Sequence, residues 1–310
     1  MRSWVALVFV LVAAILACPS GVSAQPPGEE RSPDYPSEIE VLGQREIARQ
    51  VFKDNLRDMT ERLSVFESMP RFFEPLCLEV AGLEADQARF VAERILATSR
   101  EVGLGEPRAR CRANAVVIVV DDPERMYKRL VSKRLDPVGV LPFRDVHTRR
   151  IENEVRAGQP VVWWSVLSTM SAQGVTFNDL GLAVSQNPAA SRTSASTYRP
   201  RALTVVMYDA RKLGGATLEQ IADHAALHIL GMPRRQIDFS DVDLPSMLTL
   251  FADGPETAPR SLTDFDRAYL QGLYGLSPGA FQSRVPRAVV AAYADQCEAQ
   301  QRDFRIRLRN

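Results

Sequence analysis

The stretch from Thr217 to Pro233 constrains the fold of this chain more than any other. Thr217-Leu-Glu-Gln220 is a capping box that starts a helix, Gly231 suits the position just past its end, and Pro233 stops it. Between these signals Leu218, Ile221, Ala222, Ala225 and Ile229 form one stripe, with Leu227 and Leu230 farther round. His224 and His228 flank the stripe on one side. A helix apolar over so much of its circumference has to be surrounded by the rest of the chain.

The segments available to surround it alternate in period. Leu76–Ala81 reads as a strand, Ala85–Val102 as a helix with Ala88, Val91, Ile95 and Val102 on one stripe, and Ala115–Val120 as a buried strand. Strand, helix, strand is a parallel crossover. Asp121-Asp122-Pro123 reads as the start of a helix over Glu124–Arg134, although paired carboxylates at a strand end can also hold a metal. Pro160–Ser168 is a strand that sends Trp163 and Trp164 to opposite faces, and Leu203–Tyr208 is another apolar strand. Between them the chain is rich in Ser, Thr, Asn and Gly, which predicts a long loop or a hairpin.

Toward the ends, Gln44–Leu63 reads as an amphipathic helix broken near Asn55. Pro233–Arg260 is irregular around Pro245-Ser246-Met247-Leu248, Thr263 caps a helix that runs to Gly275, and Arg287–Gln301 is a final helix. In the tail, Phe304, Ile306 and Leu308 alternate with arginines, a pattern for a frayed terminus, an added edge strand or a basic face toward an acidic partner. The fold class that follows is α+β, with a mixed twisted sheet of about four strands and helices packed on the buried His-x-x-x-His helix.

The first 24 residues read as a secretory signal, with Arg2 before an apolar core and Val22-Ser23-Ala24 as the cleavage site. Residues 25–37 are a Pro- and Glu-rich disordered linker, and 38–310 form one domain, divided into a sheet-and-helix part (38–168), a loop (169–200) and a His-helix and C-terminal part (201–310). The chain is thus expected to be exported, periplasmic or secreted. An alternative is a lipoprotein anchored through Cys18 in Ile15-Leu16-Ala17-Cys18. No other segment is long and apolar enough to span a bilayer. With the signal removed, Cys77, Cys111 and Cys297 remain; Cys77 and Cys111 each adjoin an apolar run and are the expected disulfide, which leaves Cys297 as a lone thiol. Lys plus Arg and Asp plus Glu each number 38, so no global basic field favours nucleic acid. A monomer is expected, with an unidentified peptide or envelope protein as its partner.

Two His one helical turn apart are zinc-ligand spacing, and in H-E-x-x-H enzymes the Glu between them takes the proton from metal-bound water. Here Ala225 stands at that Glu position. The helix, the following Ser-Met loop and the helix Leu262-Thr-Asp-Phe-Asp-Arg-Ala-Tyr-Leu-Gln-Gly-Leu-Tyr-Gly275 resemble the zincin metallopeptidases, their metzincin branch in particular. The resemblance places Met247 in the turn beneath a metal and Asp266 on the following helix. It covers Leu203–Gly275; upstream it rests on element order. Arg234, six residues after His228, stands where a metzincin supplies its third His. A third ligand would have to come from His147, Asp264 or Asp266, and Asp223 points away from a shared metal. Cys77, Cys111 and Ala222-Asp223-His224-Ala225-Ala226 also resemble a group of exported bacterial proteins with this plan and no activity attached.

What the resemblance implies is a degenerate zincin-like domain, without catalytic residues or cofactor, that binds a peptide along an edge strand near Leu203–Tyr208 or serves as an envelope component. A cleft beside His224 filled by side chains would weaken the peptide reading. The alternative is a zinc-dependent hydrolase with a non-standard base and third ligand. A nucleophilic hydrolase finds no G-x-S-x-G elbow.

Overall fold

The computed structural model of the chain describes residues 50–61, 67–132, 146–171, 176–177, 194–235, 237–239 and 244–307. In chain order its elements are helix α1 (50–59), β1 (Leu78–Ala81), α2 (Ala85–Glu101), β2 (Ala115–Val120), α3 (Pro123–Ser132), α4 (Val146–Arg156) and β3 (Val161–Leu167). There follow β4 (Thr169–Ser171), β5 (Thr176–Phe177), β6 (Thr197–Tyr198), β7 (Arg201–Asp209), α5 (Leu218–Leu230), α6 (Asp264–Tyr274) and α7 (Val285–Arg307). The fold is α+β with a mixed four-stranded sheet in the order β1-β2-β7-β3, in which β1, β2 and β7 are parallel and β3 runs antiparallel to β7.

Period-two alternation divides the strands between two cores. Ala115, Val117, Val119, Trp163, Val206 and Tyr208 face the larger core, with α1, α2, α5, α6 and α7. Ile118, Val162, Trp164, Val205 and Met207 face the smaller one, covered by α3 and α4. The two tryptophans thus separate as their adjacency predicts, and both are buried.

Several expectations are corrected. Leu203–Tyr208 lies between β2 and β3 and is paired on both sides, so it is no edge strand; periodicity reports which face a strand buries and is silent on its place in the sheet. The helix over 50–59 is unbroken at Asn55, whose side chain donates to the Val51 carbonyl and accepts from the Leu244 amide. The final helix continues to Arg307, its first turns packed into the larger core through Val285 and Val289. The predicted loop contributes a second, three-stranded antiparallel sheet in the order β5-β4-β6; its residues 172–175 and 178–193 lie outside the described residues. Residues 1–49, with the expected signal, linker and lipobox, also lie outside them.

Cys77 and Cys111 form the expected disulfide. It stands beside a second tie between the same strands, in which Asn114 accepts from the Cys77 amide and donates to the Pro75 carbonyl. Cys297 is not a lone thiol, since it too is disulfide-bonded.

Helices α6 and α7 cross at Gly272. A Cβ there would lie 2.6 Å from the Val289 nitrogen and 2.7 Å from its Cα. Gly272→Ala must therefore push the helices apart, and should lower unfolding stability by about 1–3 kcal/mol. Gly214→Ala, whose Cβ would meet nothing within 4 Å, should change it by less than about 0.5 kcal/mol. Urea unfolding of the two variants checks this.

Candidate functional site

Helix α5 starts as its sequence requires. Thr217 accepts from the Gln220 amide at 3.1 Å, and the Gln220 side chain accepts from the Thr217 amide at 3.1 Å. The same Gln220 amide group donates to the Pro255 and Pro259 carbonyls, which fastens the loop before α6 to the start of α5. Asp223 takes a two-pronged bond from Arg94 on α2, at 2.6 and 2.8 Å, and accepts from the Leu262 amide. It is thus a structural tie between α2 and α5.

The other end of the helix is closed by residues that sequence reading did not single out. Arg201, only 3% exposed, donates to the carbonyls of His228, Ile229 and Gly231. Tyr274 donates to the carbonyl of Leu230 at 3.2 Å, and Tyr269 accepts from the Met232 amide at 3.0 Å. Gly231 has φ of −82°, so the left-handed cap expected of it is absent. Its role is space: a Cβ would lie 2.8 Å from the Tyr269 ring. Burial lowers the Arg201 pKa only to about 10, and the guanidinium stays charged against the negative end of the helix dipole.

The two histidines come together with ring centroids 4.3 Å apart. His224 is 2% exposed and His228 6%. Aromatic rings surround the pair: Phe251 stands edge-on to His224 at 5.1 Å, and Trp163 edge-on to His228 at 5.8 Å. Ala225 between them is fully buried in the larger core.

Hydrogen bonds hold both rings at Nδ1. His228 Nδ1 lies 2.8 Å from the His224 carbonyl, which can only accept, so Nδ1 of the neutral ring carries the proton. His224 Nδ1 lies 2.8 Å from the Tyr208 hydroxyl. Both groups are buried, and the bond joins α5 to β7.

Of the proposed third ligands, Asp266 is buried and accepts from the Ser246 hydroxyl and from the amides of Met247 and Thr263. Those bonds shape the Met247 turn, and burial raises the Asp266 pKa. Asp264 stands in the first turn of the same helix. His147 stands in the first turn of α4, and its side chain lies outside the described residues. Among the described residues no group of three or more His, Cys, Asp and Glu is placed to hold a metal. Asp122, the other carboxylate considered for a metal, accepts from the Arg125 amide at 2.9 Å as the cap of α3.

Burial holds His224 well below the ordinary imidazole pKa, with His228 adding to the effect, and lowers His228 to about 4. Because the folded state resists protonation, the unfolded state takes up protons first as pH falls below about 6.5. The stability contributed by the neutral rings is therefore complete above that pH and is lost toward pH 4. Relative to His228→Leu, the wild type should lose about 3 kcal/mol between pH 7 and pH 4, read from urea unfolding at each pH. A pH-independent difference would contradict the buried neutral ring. No protein-family model, curated protein or solved structure matches the chain, so the chemistry of these side chains is the basis for reading the site.

Proposed function

We propose that the chain is an exported, zincin-like domain without peptidase activity that serves as an envelope component. The observation that carries this reading is the state of His224. Its Nδ1 is hydrogen-bonded to the buried Tyr208 hydroxyl, the residue is 2% exposed, and Phe251 packs against the ring. A histidine held in this way acts as interior, joining α5 to β7. Aromatic side chains fill the space beside the pair, which favours a structural role over peptide capture in a cleft there. The Cys77–Cys111 bond fits an oxidising compartment, and no helix among the described residues is long and apolar enough to cross a membrane.

Ala225 supports the same reading. A general base must reach a metal-bound water, whereas this position points into packed hydrocarbon. Ala225→Glu would bury a carboxylate there without a partner. It should cost on the order of 3 kcal/mol or more and bring no zinc-dependent hydrolysis of an unfolded protein substrate. Wild-type stability together with hydrolysis in that single variant would refute the proposal.

A further inference from the structure

The edge of the main sheet next to the His pair is β3, and its own sequence makes it a hazard. Val-Val-Trp-Trp-Ser-Val-Leu has high strand propensity and contains no charge, proline or glycine. An edge of that composition pairs with another copy of itself unless something covers it. Among the described residues β3 has a neighbouring strand on one side only, β7.

Register tells which peptide groups face outward. The Asp209 amide donates to the Pro160 carbonyl at 3.0 Å, which makes these two a hydrogen-bonded pair. Such pairs recur every second residue in an antiparallel ladder. Val162 and Trp164, opposite Met207 and Val205, therefore turn their peptide groups to β7. Val161, Trp163 and Ser165 turn theirs away from β7.

Arg235 covers the middle of these three. Its Nη1 donates to the Trp163 carbonyl at 2.8 Å and to Glu154 on α4 at 2.9 Å, and its guanidinium lies 4.8 Å from the centre of the Trp163 ring. Arg235 is held half out of water, with its side chain 14% exposed and that of Glu154 18%. A surface ion pair would not be sunk this far. The bridge puts a cation and a bulky side chain across the edge where a second strand would begin to pair.

We propose that Arg235, anchored by Glu154, is an edge lock that keeps β3 from pairing with β3 of a second copy of this chain. The lock depends on strand register and three contacts, independently of how the His pair is read. The occupant it excludes follows from the strand itself, since two uncharged β3 edges in antiparallel register would bring Trp163 near the centre of the new ladder.

The test is sedimentation velocity across a hundredfold range of concentration, with wild type beside Arg235→Met/Glu154→Gln. Met keeps an unbranched stem over Trp163 and removes both charge and donors. Wild type should sediment as one chain and the double variant as two or more. A peptide of the β3 sequence flanked by lysines should bind the double variant and not the wild type, by fluorescence anisotropy. Adding Ser165→Pro removes an outward amide and keeps the backbone ladder to β7, at the loss of the Ser165–Thr204 hydroxyl bond, and should return the double variant to one chain. A folded double variant that stays a single chain and ignores the peptide overturns the proposal, as does self-association of wild type through β3. If circular dichroism shows the double variant unfolded, Arg235→Met alone is read in both assays with the same outcomes deciding.

Discussion

A helix buried along its length can stay buried only if its ends are satisfied without water, and the ends of α5 organise this molecule. Four amides and four carbonyls at the two termini lack partners within any helix. An unsatisfied buried carbonyl costs about 1–3 kcal/mol, while a whole domain is stable by about 5–15 kcal/mol, so leaving the C-terminal set unpaired would remove much of the fold. Arg201 and Tyr274 between them reach the carbonyls of His228, Ile229, Leu230 and Gly231. Burying a cation is tolerable on those terms, because it replaces its hydration with carbonyl groups at the negative end of a helix.

That clamp determines where other segments go. The register shift between Val166 and Leu167 pairs Leu167 with Arg201 and passes over Ala202. Strict alternation from Val205 and Leu203 would send Arg201 to the α3 and α4 face; the irregularity turns it to the α5 face instead. Arg71 follows the same logic one layer away, buried and donating to the Leu276 carbonyl beyond the end of α6, while its own carbonyl accepts from the Arg201 amide. Tyr208 and Tyr269 then bind the body and end of the helix to strand and helix neighbours. The His pair sits inside this framework. Its imidazoles are hydrogen-bonded through Nδ1 within the interior, and Phe251 and Trp163 pack against the rings.

What the sequence made legible is what depends on local order. The capping boxes at Thr217 and Thr263, the apolar runs of β2 and β7, the opposite faces of Trp163 and Trp164 and the Cys77–Cys111 pair can all be read from neighbouring residues. The contacts that decide the candidate site span far longer separations. Arg201 meets carbonyls 27 to 30 residues away, and Arg235 meets Trp163 and Glu154 at separations of 72 and 81. No periodicity encodes such partners. The edge was misplaced for a related reason, since the hydrophobic pattern of Leu203–Tyr208 fits a strand at any position in the sheet. In the tail, the period-two pattern at Phe304 and Ile306 was outweighed by the helix already running through Val285 and Val289. An Arg opening a strand with a long apolar run was the signal available for Arg201, and it gains meaning only once a helix end is known to lie against it.

The central claim is that His224 and His228 belong to the interior and hold no metal. Elemental analysis of the mature protein, purified without chelators or a His tag, beside a His224→Ala/His228→Ala variant, tests it most directly. The account predicts zinc far below one equivalent in both proteins. Stoichiometric zinc in the wild type that disappears in the double variant would contradict it.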